Sequence, residues 1–188
     1  MTGAKGDGLY RRVLGAAWDG LPIAIRDLHD GVVLAEGRAR VERGTGLLAR
    51  LAGAIVGFPG PAADTPVSVR FERDGAAEIW TRRFGAASFS SRQFAGTGRH
   101  AGLLRESFGP LTFAMALVPE GNRLALAFQG WRCLGVPLPP WLAPRSRAFE
   151  AETDGRFHFH VEIWHVLTGP IVLYEGWLVP VEPAARGV

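Results

Sequence analysis

The segment Glu78-Ile-Trp80-Thr-Arg82-Arg-Phe84 has the residue types and spacing best suited to holding a small molecule. At a strand's two-residue period, Glu78, Trp80, Arg82 and Phe84 share one face. An arginine set between two large aromatics is partly desolvated. Its planar fork can hold a carboxylate or phosphate head group bidentately. Glu106, on a separate strand, is the natural counter-charge when no ligand is present. The competing reading is an outward strand face on which Arg82 stacks on Trp80 or pairs with Glu78.

A second pattern is His158-Phe-His160-Val-Glu162, whose polar members lie on one strand face in steps of about 6.5–7 Å. Imidazole and carboxylate suit zinc or iron, and His165, His29 or His100 would supply a third imidazole. The opposite parity, Phe157, Phe159, Val161 and Ile163, is a core face, however, and His165 belongs to that parity. The His–Glu face is therefore expected to be solvated or structurally bonded, and neither metal nor other cofactor is expected. Glu106, His165 and Glu175 are the acid/base groups an enzyme would use, and Glu150 and Glu152 share another strand face. Nucleophilic catalysis finds little support. There is no GxSxG, and Ser88, Ser90 and Ser91 stand in a strand without an adjacent base. Cys133 reads as a small buried hydrophobe. An enzyme is thus the alternative reading, and a structural or dimerisation module is another.

Apolar surplus is the third signal. Leu111, Phe113, Met115 and Leu117 alternate with Thr112, Ala114, Ala116 and Val118. Leu124, Leu126 and Phe128 alternate with Ala125, Ala127 and Gln129. Strands apolar on both faces must be covered on both faces. In an antiparallel barrel of about eight or more strands, such an interior is either packed solid or encloses a ligand. Under the second reading Arg82 or Arg132 fixes an acidic head, while Trp80, Trp131, Phe113 and Met115 contact the body. The proline-rich loop Gly135–Pro144, with Trp131 and Trp141, becomes a lid, a partner surface or a plain end cap.

These residues need elements to position them, and the composition says which kind. Of 188 residues 47% are hydrophobic and 21% charged, which excludes a largely disordered chain. Twenty-five glycines and 13 prolines are too many for a helical bundle and suit many short strands. Lys5 is the only lysine beside twenty arginines, and these are scattered among 18 acids, so the net charge of +3 marks no nucleic-acid surface. A single cysteine excludes an internal disulfide. Met1–Gly8 lacks the apolar stretch of a secretory signal, and Leu47–Phe58 is too short to span a bilayer and contains Arg50. The expected location is cytoplasmic. Shallow membrane docking of Leu47–Phe58 is disfavoured for want of a polar face, and burial against the sheet is expected instead.

Leu9–Leu28 predicts a helical region interrupted at Gly20-Leu21-Pro22. From Gly31 the period becomes two. A short helix follows within Gly44–Phe58. Strands are then predicted over Val67–Arg73 and Ala76–Phe84, flanking the hairpin signal Asp74-Gly75, and over Ala87–Phe94, Gly102–Phe108, Leu111–Val118 and Arg123–Trp131. Val136–Pro144 cannot sustain a ladder. Strands over Arg147–Glu152, Phe157–Val166 and Ile171–Val179 end the pattern, and a frayed tail is expected beyond Pro180.

Several segments together carry a family likeness: Leu9-Tyr10-Arg-Arg-Val-Leu-Gly, Leu21-Pro with His29, Gly37 before the Leu47 helix, and Trp80-Thr-Arg82-Arg-Phe84-Gly. Glu106-Ser-Phe-Gly109-Pro110, Leu134-Gly-Val-Pro137-Leu-Pro139 and Tyr174-Glu-Gly176-Trp177-Leu-Val-Pro180 complete the set. The chain resembles a bacterial family of domains of unknown function, found alone or fused behind saccharopine-dehydrogenase-like, NAD(P)-binding domains. The resemblance runs from about Leu9 to Pro180 and implies no catalytic residues. It does imply a redox-enzyme partner in small-molecule or lipid metabolism.

The expected fold is α+β and mostly β. One domain over residues 1–188, with an ordered core of about 9–180, forms a strongly curved antiparallel sheet or barrel of about ten strands. An N-terminal helical segment and one short helix pack on it. The expected function is binding of an apolar or amphipathic, fatty-acid- or lipid-like molecule. No nucleic acid and no membrane span are expected, and a homodimer is left open.

Overall fold

The computed structural model describes residues 8–181, so Met1–Asp7 and the expected tail beyond Val181 lie outside the described residues. Among the described residues eleven strands occur in chain order: β1 (Leu34–Arg43), β2 (Ala62–Asp74), β3 (Ala77–Phe84), β4 (Ala87–Ala95), β5 (Leu104–Phe108), β6 (Leu111–Glu120), β7 (Arg123–Cys133), β8 (Val136–Leu138), β9 (Arg145–Thr153), β10 (Arg156–His165) and β11 (Gly169–Pro180). Every pairing is antiparallel. β1 to β7 pair in sequence, β7 pairs with β9, β9 with β10, β10 with β11, and β11 with β1. Ten strands therefore close a ring, leaving sheet edge unpaired chiefly at the short β8 and along the β7–β9 seam, where only three residue pairs join the strands.

Two-residue turns make most of this possible. Between β2 and β3 the loop is Gly75-Ala76, with Asp74 still paired to Ala77. The turn is one residue later than the Asp-Gly signal implied. Gly75 takes φ 62°, the glycine-first geometry whose twist matches the strands. The β9–β10 turn is the other type: both Asp154 and Gly155 have positive φ.

One place in the barrel departs from the sequence expectation. Val136–Leu138 does pair, as an edge strand on the end of β7, before a 3-10 turn at Pro140–Leu142. Proline is tolerated there because nothing pairs with the outer side of β8. At the β1–β11 seam, Gly37 and Gly176 let the strands approach more closely than any side chain allows. A Cβ on Gly37 would overlap the Trp177 carbonyl, and one on Gly176 the Arg38 carbonyl.

Among the described residues three helices cover the barrel's ends: α1 (Leu9–Leu14), α2 (Ile23–His29) and α3 (Leu47–Val56), with a 3-10 turn at Gly15–Gly20 between the first two. α1 and α2 plug one end, burying Leu9, Tyr10, Ile25 and Leu28. Glutamates from the strands serve as their caps. Glu78 accepts from the Leu9 amide at 3.2 Å and Glu152 from the Ala24 amide at 2.7 Å, satisfying donors that open each helix. α3 crosses the other end and closes with Gly57 in the left-handed region (φ 81°), its amide bonded to Gly53 O and Ala54 O.

The expected burial of α3 against the sheet is corrected. Its small face, Ala49 and Gly53, rests on the rim, while Leu47, Leu48, Leu51 and Ile55 are exposed. The seat is specific. Arg43 of β1 extends beneath Gly53 and donates to the carbonyls of Phe58 at 2.8 Å and Pro59 at 3.0 Å.

Candidate ligand-binding cavity

The ring of strands encloses a space. A cavity of about 330 Å³ runs from Tyr10 and Leu28 at the plugged end to Ala52, Ile55 and Val56 of α3 at the other. Its wall is largely aliphatic and aromatic: Val67, Val69 and Phe71 from β2, Phe113 and Met115 from β6, Leu126 and Phe128 from β7, and Phe157, Phe159, Val161 and Ile163 from β10. A solidly packed interior leaves few voids larger than a water molecule. This one lies within the range of small-molecule sites.

One polar patch interrupts the apolar wall, and the register of three adjacent strands explains it. On β4, Phe89, Ser91 and Gln93 point inward. Phe89 lies opposite Arg82 on β3, and Gln93 opposite Glu106 on β5. The Arg82 guanidinium reaches diagonally across Ser91. It donates to Ser91 Oγ at 2.8 Å and to Glu106 Oε1 at 3.0 Å. Ser91 Oγ donates to the same carboxylate oxygen at 2.6 Å, and Gln93 Nε2 at 3.1 Å. The cation also lies 5.1 Å from the Trp80 ring centre and 5.6 Å from that of Phe89. Side-chain exposures of 13% and 10% for Arg82 and Glu106 make this an interior ion pair. Burial, the largest single influence, pulls the Arg82 pKa down, but the Glu106 carboxylate together with Tyr174 and Tyr10 outweighs it and holds the guanidinium above its ordinary value.

A second polar group closes the plugged end. His29 Nε2 lies 2.7 Å from Glu150 Oε2, and the imidazole stacks on Tyr10 at 3.7 Å between centroids. Burial pushes the Tyr10 hydroxyl well above its usual pKa, with Glu150 and Glu106 adding to the shift. Tyr174, also on the cavity wall, is pushed up to about 12 by burial despite the opposing influence of Arg82. Both phenols are therefore neutral hydrogen-bond donors across the ordinary pH range. Tyr10 Oη and Gln93 Oε1 have no partner among the described residues. Two orphaned polar atoms inside a barrel are an exception that needs a cause.

The sequence-derived candidates divide cleanly. Trp80, Arg82, Phe113, Met115 and Glu106 line the cavity. Trp131 and Arg132 do not. The register of β6 and β7 shifts between Ala114 and Met115, leaving Gln129 as an extra residue. Such a bulge reverses strand parity beyond it, so Arg132 faces outward and donates to Gly135 O at 2.9 Å. Trp131 stays on the face of Phe113 but donates to Pro139 O at 3.1 Å, seated under the proline loop.

Nor are the three acid/base candidates brought together. Glu106 is inside. Glu175 is on the outer face, 2.9 Å from His160 Nδ1 and 3.3 Å from Arg40. His165 ends β10, its Nδ1 accepting from the Leu167 amide. His158, His160 and Glu162 share the outer face as the alternation implied, and His160 stacks on Phe149. His29 is inside, and His100 lies in the 3-10 turn Gly98–His100 beyond β4. Among the described residues no three histidine, cysteine or acidic side chains stand together as a metal site.

Ser91, Gln93 and Tyr10 belong to the interior but are not among the sequence-derived candidates; His29 and Glu150 are, but only separately, as a metal ligand and an acid/base group, and not as the interior pair they form. The signal for two of them was present. Ser91 and Gln93 have the parity of Phe89 in β4, so polar residues were sitting on a core face.

Fold and site together define a closed antiparallel β-barrel with an internal cavity. The chain belongs to the family described as Domain of unknown function (DUF4166), whose model matches residues 21–178. No curated protein matches it. Among solved structures, a REP1-NXSQ fatty acid transporter is similar at 11% identity, covering 79% of this chain and 95% of that one, with a TM-score of 0.36. The zebrafish ileal bile acid-binding protein complexed with cholic acid is similar at 13% identity, covering 77% and 97%, with a TM-score of 0.35. An acyl-CoA thioesterase II from Mycobacterium marinum is similar at 11% identity, covering 94% and 92%, with a TM-score of 0.20.

Proposed function

We propose that the protein binds an apolar or amphipathic small molecule, lipid-like in its chemistry and uncharged at its head, inside the barrel. The observation that carries this reading is the largely apolar cavity of about 330 Å³ with the Arg82–Glu106 polar patch in its wall. Phe113, Met115, Phe128 and Val161 would contact the body, and the head would meet Arg82, Gln93 and Tyr10. Entry would be through the β7–β9 seam, where only Arg123–Ala125 pair with Phe149–Ala151 before β7 diverges to β8. The redox-enzyme partner implied by the sequence resemblance would then receive or supply the bound molecule.

The patch also selects the head. Arg82 is already balanced by Glu106, so an ionised carboxylate would bring a second negative charge against Glu106 in a poorly solvated space. An uncharged hydroxyl meets no such cost. It can donate to Gln93 Oε1 and accept from Tyr10 Oη.

Displacement of a fluorescent apolar probe by dodecanol and by dodecanoate tests this at neutral pH. Dodecanol should compete about tenfold or more better than dodecanoate, equivalent to about 1.4 kcal/mol. Glu106→Gln, which leaves the arginine unbalanced, should reverse the preference. Met115→Trp, which fills the space, should abolish binding of both. Failure of both ligands to displace the probe, or a Met115→Trp variant that binds like the parent, would count against the reading.

A further inference from the structure

Exposed apolar side chains are concentrated at one end of the barrel. Ten of the fifteen large ones among the described residues lie where α3 crosses. They include Leu47, Leu51 and Ile55 on α3, Leu134 and Trp141 flanking β8, and Leu167 in the β10–β11 turn. Leu47 and Leu134 are each 81% exposed and Leu167 75%. An apolar cluster of this kind marks an interaction surface.

Charge is segregated with it. The segments that build this end, residues 44–61, 85–86, 109–110, 134–144 and 166–168, contain no aspartate or glutamate and one cation, Arg50. Exposed Arg83 and Arg145 and half-buried Arg132 border them on neighbouring strand ends. Glu42 and Asp64, on the ends of β1 and β2, are each already matched to an arginine, Arg40 and Arg38. At the opposite end Asp19 and Asp154 are exposed.

We infer that this end docks on an anionic lipid bilayer surface, with α3 lying in the interface, Trp141 at head-group level and the bordering arginines facing lipid phosphates. A second copy is the poorer occupant. Symmetric pairing of this end would set a face bordered by Arg50, Arg83, Arg132 and Arg145 against an identical one, with no acid in the end segments to answer them. A helix of ten residues lies on a bilayer and does not cross it. The inference stands on the rim and not on the ligand reading. The two would meet in α3, which also supplies Ala52, Ile55 and Val56 to the cavity wall.

Co-sedimentation of the full chain with phosphatidylcholine vesicles, with and without added phosphatidylglycerol, tests it. Partition should be about tenfold or more stronger on the anionic vesicles and should fall as salt rises. Leu47→Asp/Leu51→Asp should abolish it with an unchanged circular dichroism spectrum and melting midpoint, since both side chains are exposed and neither lines the cavity. Arg50→Glu/Arg145→Glu should weaken partition on anionic vesicles only. Absence of sedimentation with either vesicle overturns the inference, as does equal sedimentation of the double aspartate variant. A solution dimer that Leu47→Asp/Leu51→Asp converts to monomer also overturns it, because a second copy then covers the face.

Discussion

Replacing Arg82 with methionine should lower the melting midpoint by roughly 6–20 °C, because it leaves Glu106 buried without its counter-charge at a cost of about 3–5 kcal/mol. Ser91 and Gln93 would still donate to Glu106 Oε1, which places the loss toward the lower part of that range. The informative partner is Arg82→Met/Glu106→Leu. Removing both charges replaces an interior ion pair with apolar packing, which is often neutral or stabilising. The double variant should therefore recover most of the lost midpoint while losing the discrimination between dodecanol and dodecanoate. That combination would show that the pair is kept for head-group recognition and not for folding. A double variant as unstable as Arg82→Met, measured by the same thermal denaturation, would contradict it.

The second large effect is expected at the β1–β11 seam. Gly176→Val should cost about 3 kcal/mol or more, or roughly 6–12 °C for a chain of this size, because the new Cβ meets the fixed carbonyl of Arg38. Gly37→Val should behave alike against Trp177. Neither glycine has a positive φ, so the cost is steric and falls on the ladder between the first and last strands of the ring. Gly60→Ala, with open space around its Cβ, is the control and should shift stability by no more than about 0.5 kcal/mol. Equal melting curves for Gly176→Val and Gly60→Ala would mean that the seam has slack its geometry denies.

Much of this barrel could be read from the chain. Glycine-led turns cut it into strands, and two-residue alternation assigned the inner face of β10 correctly. The face shared by Trp80, Arg82 and Phe84 proved to be the inner one, and Glu106 proved to be the partner of Arg82. What escaped was what alternation cannot encode. One extra residue, Gln129, turned Arg132 out of the interior, because a bulge leaves no mark in the hydrophobic pattern. The exposure of α3 escaped because the apolar stripe that predicts burial also describes a helix resting on small residues, with its large ones facing away. Ser91 and Gln93 were visible only as polar residues of core parity. Their meaning depended on which strand lay beside β4.

The claim that everything rests on is that the barrel interior is a binding space for a lipid-like molecule. Native mass spectrometry of the full chain, purified gently and without detergent, tests it most directly. A stoichiometric adduct of lipid-like mass on the parent protein, absent from Met115→Trp, is the expected result. An adduct-free parent that also fails to take up dodecanol under the same conditions would contradict it.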